Sequence, residues 1–331
     1  MFYLLSISLC CAVFFIVLAG SSALCMWAGR LSLPAASSLT STTAANLLFT
    51  IRILPVFLAS LATFGFVLPA LLKFEPRSTG ELVGWPLFGL AILGCAVLIV
   101  MLIRTATILR STRLVGAKWR RHSKKLSLEN TDVPVYCLDD AGAGPGSVLA
   151  VLGFLRPKIF VAKQIVDKLT PAELMAAVEH ERAHVTSFDN LKQLVFKVTR
   201  IPRWLRVFGV ADSAWTNASE IAADEAALAS GISVLDLSSA LIKVAALSTH
   251  AVVGKTVAAS HLVPMESGSC LRARVDRLQE ILAGDDPARC TSSRKHMSKS
   301  AISLVLAVIA YAACVNTALP WVHEVLEALV R

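Results

Sequence analysis

Four stretches of this chain are too long and too apolar to be folded in the ordinary way. Phe2 to Trp27, Leu47 to Leu72, Trp85 to Ile103 and Ala301 to Leu319 each suffice to cross a hydrocarbon layer of about 30 Å as a helix. Arg52 interrupts the second run near its start, where its long side chain is expected to snorkel to the interface. The first run has no Lys or Arg ahead of it and exceeds a signal-peptide core, so it is expected to be retained. With 55% hydrophobic residues, 17% charged residues and a mean hydropathy of +0.65, the composition excludes an ordinary soluble protein. A multi-pass protein of the cell membrane is expected, mainly α, with four transmembrane helices.

Basic residues then set the orientation. Between Arg104 and Lys125 lie eight Lys or Arg residues and no acid, nearly the whole net charge of +9. Basic segments next to a span stay in the cytoplasm, and Arg289, Arg294, Lys295 and Lys299 ahead of the last run agree. Three spans in 1–103, at about 2–27, 47–72 and 85–103, are followed by a cytoplasmic domain in 104–299. A fourth span with a short tail fills 300–331, and both termini lie outside. The basic block is assigned to the anionic lipid surface of the bilayer and no direct nucleic-acid contact is expected, because it abuts a span and carries only Trp119 as an aromatic. Eight cysteines without a Cys-x-x-Cys pair, five of them in spans, give no disulfide framework.

The chemistry sits in the cytoplasmic segment. Val133 to Leu138, Ser147 to Leu152 and Lys158 to Val161 read as short strands, with a flexible turn from Asp139 to Gly146. One of these strands either pairs an extended substrate along its edge or only packs on the next helix. That helix starts at Thr170-Pro171-Ala172-Glu173, a capping box with proline at the first helical position. Inside it lies His180-Glu181-Arg182-Ala183-His184. Histidines four apart face the same way from consecutive turns and can share one zinc ion, with Glu181 beside them as candidate catalytic base.

A catalytic zinc needs a third protein ligand. Glu220 is the candidate, on an Ala-rich helix that Gly231 terminates, with Asp224 one turn on as a partner for the free ring N–H of a ligand histidine. His180 is the preferred recipient, although spacing leaves His184 open. Glu225 competes for the ligand role but points to another face. Asp189 reads equally as a tether for the metal helix or as a solvated cap. Tyr136, His250 and His261 are candidates for stabilising an oxyanion. Helices are expected from Asp189 to Arg200, Val234 to Leu247 and Cys270 to Leu282, with a mobile loop from His250 to Gly268. His-Glu-x-x-His followed by Glu-x-x-x-Asp is the arrangement of gluzincin peptidases, so the fold expected for 104–299 is an α+β gluzincin-type metallopeptidase domain with a small β-sheet.

The span order, "RPKIFVAKQIVDKLTPAELMAAVEHERAHVTSFDN", "SEIAADEAAL" and "LRARVDRL" together resemble the BlaR/MecR-type membrane metallopeptidases, metallopeptidase family 56. The resemblance implies a zinc endopeptidase holding Zn2+ with His180, His184 and Glu220. Glu181 would be the base and the setting regulatory proteolysis, with a protein or peptide substrate that could be a transcriptional repressor. Antibiotic-sensing relatives carry a penicillin-binding domain after the last span; only a dozen residues follow Leu319, so none is expected here. Two alternatives remain: a Ste24/HtpX-like housekeeping membrane protease, and an inactive signalling scaffold.

Overall fold

The computed structural model describes residues 2–36, 39–74, 84–128, 131–143, 149–200, 206–249, 268–283, 311, 315 and 317–327. Most of the expected fourth span, the loop 250–267, the residues after 283 that carry the second basic group, and part of the glycine-rich turn lie outside that set. Helix α1 is Phe2–Ala36, α2 is Ser41–Ser60, and a π-helical stretch Leu61–Val67 leads into α3, Leu68–Phe74. Helix α4, Trp85–Arg121, follows. These form three units long and apolar enough to cross a membrane: Tyr3–Trp27, Ser41–Phe74 and Trp85–Arg121.

Large apolar side chains cover the outer faces of these helices. Their contacts mix small residues, Ala12, Ala59 and Ala70, with Leu5, Leu9 and Leu71, while Leu4, Ile7, Phe57, Phe64, Leu102 and Ile103 face outward. At the crossing of α1 and α4, a Cβ on Gly94 would collide with the backbone carbonyl of Cys11. The cysteines resolved among the described residues, Cys10, Cys11, Cys25, Cys95 and Cys137, are free.

Helix α4 continues far past the expected end at Ile103. Nothing between Arg104 and Arg121 breaks a helix, since Arg and Lys are good helix formers and the one glycine costs only about 1 kcal/mol. At 1.5 Å per residue its 37 residues run about 55 Å, against an apolar layer of about 30 Å. Lys118 lies about 21 Å along the helix from Arg104. Arg104, the first of the block, donates to the backbone carbonyls of Val198 and Arg200.

The first turns of α2 pack on residues far along the chain. Ala45 and Leu48 of its first turns pack with Phe196 and Trp215, and Phe49 joins them. Arg52 differs from the sequence expectation: it is 3% exposed and does not snorkel. Its Nε lies 3.0 Å from Oδ1 of Asp212, and Nη2 donates to the Thr199 carbonyl at 3.1 Å. A periodicity argument cannot see this, because the partners lie about 150 residues away in sequence. Replacing Arg52 with methionine strands Asp212 and is expected to destabilise the protein by about 2–3 kcal/mol, less than for a wholly buried pair because Asp212 keeps some solvent. Thermal unfolding in detergent checks this.

Beyond the spans the chain forms a four-stranded sheet and seven helices among the described residues. Strands β1, Ser123–Leu126, and β2, Val135–Leu138, are antiparallel. After the short helix α5, Asp140–Ala143, come β3, Leu149–Leu152, and β4, Lys158–Ala162. The order is β1-β2-β4-β3, with β2 and β4 parallel and β3 antiparallel to β4. Three strands stand where the sequence put them. The fourth, β1, was not expected, because Ser-Lys-Lys-Leu has little strand propensity; lysines suit an edge strand that must not pair further. Helices α6, Lys163–Lys168, and α7, Pro171–Thr186, lead to α8, Asp189–Val198, α9, Arg206–Ala229, α10, Val234–Thr249, and α11, Gly268–Leu282. Val135, Ile159 and Val161 of the sheet join Ile165, Leu174 and Val178 in one core, so α7 is seated on the sheet.

Candidate metal centre

Helix α7 begins as its sequence requires. Thr170 Oγ1 accepts from the Glu173 N–H at 3.2 Å, and Glu173 Oε2 accepts from the Thr170 N–H at 2.8 Å, with Pro171 at the first position. Glu173 also takes hydrogen bonds from Ser239 and Lys243 of α10, each at 2.6 Å, which locks the start of the helix. The helix is buried on nearly every side, so His180, Glu181 and His184 all stand away from bulk water.

The two histidine rings meet edge to face, with their Nε2 atoms 3.2 Å apart. Helix α9 presents Glu220 to both: Oε2 is 3.4 Å from His180 Nε2 and Oε1 is 3.6 Å from His184 Nε2. Ligand atoms about 2.0–2.1 Å from one tetrahedral zinc stand about 3.3–3.4 Å apart, so this triangle has the edges a shared ion needs. His180, His184 and Glu220 form a group that could hold a metal ion. Gly231 closes α9 as expected, at φ +98°.

Each histidine turns its other ring nitrogen to a carboxylate. His180 Nδ1 is 2.8 Å from Asp224 Oδ1, close enough for attraction although the angle falls short of a well-formed hydrogen bond. His184 Nδ1 is 2.8 Å from Asp189 Oδ2. Spacing left two questions open here, and both are answered: Asp224 faces His180, and Asp189, 2% exposed, is the partner of His184 instead of a solvated cap. The tight turn that brings Asp189 back depends on Phe188, which sits in the left-handed region at φ 55°. Asn190 then fastens α8 to the edge strand β3, donating to the carbonyls of Val151 and Gly153 at 3.3 and 2.9 Å.

Other candidates fall elsewhere. Glu225 bonds Ser41 of α2 at 3.2 Å and faces Arg277 at 3.4 Å, away from the histidines. Tyr136 stacks on Phe160 with the Lys158 ammonium over its ring. His250 and His261 lie outside the described residues. Arg274 of α11 was not singled out from sequence, yet it is 3% exposed and contacts both Asp224 and Glu220. Its signal was the "LRARVDRL" segment, which carries no local sign of where its arginines point.

Charge in the pocket is unbalanced. Glu181, Asp189, Glu220 and Asp224 are all buried, and among the described residues the fixed cations against them are Arg274 and Lys192. Four negative charges against two positive leave two to neutralise, the charge of one divalent ion. Without it, protons take the ion's place. Burial opposes a charge on His184, yet the Glu220 and Asp189 carboxylates outweigh it and hold its pKa well above the ordinary 6.5. For His180, burial is likewise outweighed, chiefly by Asp224. Burial pushes the Glu181 carboxyl up, with the two histidines opposing. Burial would raise Glu220 and Asp224 too, but His184 at Glu220 and Arg274 at Asp224 keep both below the ordinary carboxylate range.

These directions predict how stability depends on pH. Raised histidines contribute fully below about 6.5 and lose that contribution as pH rises through their higher folded values. Lowered carboxylates contribute above about 4.5 and lose it as pH falls through their folded values. Metal-free protein is therefore expected to melt highest in mildly acidic buffer. Added zinc, which competes with those protons, should protect more strongly as pH rises. Melting curves with and without chelator from pH 4 to 8 check this; protection that weakens with rising pH would contradict the site.

The sequence model of the family described as BlaR1 peptidase M56 matches residues 85–278, well over half of the 331-residue chain. The chain belongs to this family. No curated protein and no solved structure gives a significant match. As an M56 member the protein falls among membrane-associated metallopeptidases, and its three apolar helices agree. The M56 match runs from the start of α4 to Leu278, so it takes in both histidines, Glu220, Asp224, Asp189 and Arg274.

Proposed function

We propose that this M56 protein is a zinc-dependent, gluzincin-type endopeptidase anchored by four spans, acting in the cytoplasm on a protein whose cleavage transmits a signal. The observation that carries the reading is the His180, His184 and Glu220 triangle, with its spacing of 3.2 to 3.6 Å and a carboxylate behind each ring. Asp189 at His184 Nδ1 and Asp224 at His180 Nδ1 favour rings that turn Nε2 toward the metal position. Bound zinc would supply Lewis acidity to a water molecule and to the scissile carbonyl.

The remaining steps belong to the chain. Glu181, on the helix between the two histidines, takes the water proton on its carboxylate and delivers it to the leaving amine. Strand β3 is an edge of the sheet and is tied to α8 through Asn190, so it is the strand along which an extended peptide is placed for cleavage. The run of basic residues on α4 supports a cytoplasmic domain beside anionic lipid. A transcriptional repressor is the substrate class this reading favours.

Purified protein in detergent, assayed for bound zinc and for cleavage of itself or of a co-expressed repressor, tests the proposal. Zinc near one equivalent and cleavage of a single regulator support it. Cleavage of many unrelated unfolded proteins would favour a housekeeping protease, and absence of stoichiometric zinc a signalling scaffold.

A further inference from the structure

Helix α11 brings to the metal centre a side chain that neither the histidine motif nor the acidic helix supplies. Arg274 Nε is 2.7 Å from Asp224 Oδ2, and Nη2 is 2.7 Å from Asp224 Oδ1. Nη1 of the same guanidinium is 3.0 Å from Glu220 Oε2. One planar group thus grips both oxygens of the carboxylate that faces His180 and one oxygen of the carboxylate that faces both Nε2 atoms. All three residues are buried, so no water competes for these contacts.

A two-pronged contact fixes the plane of a carboxylate as well as its position. With its plane fixed, Asp224 can turn only one way, and Oδ1 is held against His180 Nδ1. Nη1 adds a single contact, which holds Glu220 Oε2 in place without fixing the plane of its carboxylate. The arginine is itself held, because α11 is anchored by Leu278, which packs with Ala176 of α7 and Ala227 of α9. Beside it, Arg277 reaches Glu225 of α9.

We propose that Arg274 is a positioning residue of the metal centre, presetting His180 through Asp224 and Glu220 directly, before the ion arrives. This rests on the reading of His180, His184 and Glu220 as zinc ligands. It also has a sign that distinguishes it from plain electrostatics. A cation next to a metal site repels the metal, so an arginine acting only as charge would weaken zinc binding, and its removal would tighten it. An arginine acting by position does the reverse.

The test uses the full chain in detergent and measures zinc affinity by competition with a chromophoric chelator for wild type, R274Q, R274K, D224N and R274Q/D224N. R274Q is expected to bind zinc about 10–100-fold more weakly. R274K keeps the charge but not the fork and should stay clearly weaker than wild type. The double variant should fall short of the product of the two single losses, because Arg274 acts partly through Asp224. Zinc binding by R274Q equal to or tighter than wild type, full affinity in R274K, or independent losses in the double variant each overturn the proposal. If R274Q does not fold, R274K carries the decision. A wild-type protein that binds no zinc would instead overturn the metal reading.

Discussion

Replacing Glu181 by glutamine is expected to slow peptide hydrolysis by about 10²–10⁴-fold while zinc content stays at the wild-type level. Glutamine keeps the shape and one carbonyl oxygen but cannot accept a proton at neutral pH. Glu181 is 9% exposed and lies between the two histidines in sequence, yet it is not part of the ligand group, so its loss leaves the triangle intact. Removing a buried negative charge from a pocket with two in excess also lowers the cost of the metal-free state. The variant should therefore melt no lower than wild type in the presence of chelator. Cleavage that persists unchanged in Glu181→Gln, with zinc bound, would remove this residue from the mechanism.

Loss of a ligand should act differently. His184→Ala takes away one corner of the triangle and leaves Asp189 buried with, among the described residues, Lys192 against it. Two remaining protein donors hold zinc poorly, so the purified variant is expected to carry under about a tenth of an equivalent and to show no cleavage. Stabilisation by added zinc should vanish with it, because a ligand that does not bind the folded state cannot shift its melting point. Metal analysis and melting in matched buffers, with and without zinc, separate this from misfolding: His184→Ala should retain the helical circular dichroism of chelated wild type. Retention of a full equivalent would mean that the ion, where present, sits elsewhere.

How much of this was legible in the sequence follows from the range of each interaction. Helix α7 was readable because its cap, its proline and its histidines lie within one periodic segment. Glu220 and Asp224 were readable because four-residue spacing puts both on one face. Arg274 was not, since its contacts join residues 50 apart in the chain and nothing in its own helix marks which arginine turns inward. Arg52 was misjudged for the same reason: the apolar run announced lipid on all sides, whereas the first turns of α2 meet α8 and α9. Strand β1 owes its existence to pairing with β2 and has no pattern of its own. The family model adds the metallopeptidase class, and the geometry adds what no local pattern holds, the carboxylate assigned to each ring.

The π-helical stretch Leu61–Val67 has a consequence for how the length of this chain can vary. Its wider turns take up an extra residue without changing the faces presented on either side, and the carbonyl of Gly65 is free to accept the Tyr311 hydroxyl at 2.7 Å. Deleting one residue there would let ordinary α-helical bonding run through, with Arg52 still turned to Asp212. Deleting one between Arg52 and Ser60 would swing the arginine by about 100° and tear it from its partner. Within this helix, a one-residue deletion is expected to cost less stability at Leu61–Val67 than between Arg52 and Ser60, which melting of the two variants checks.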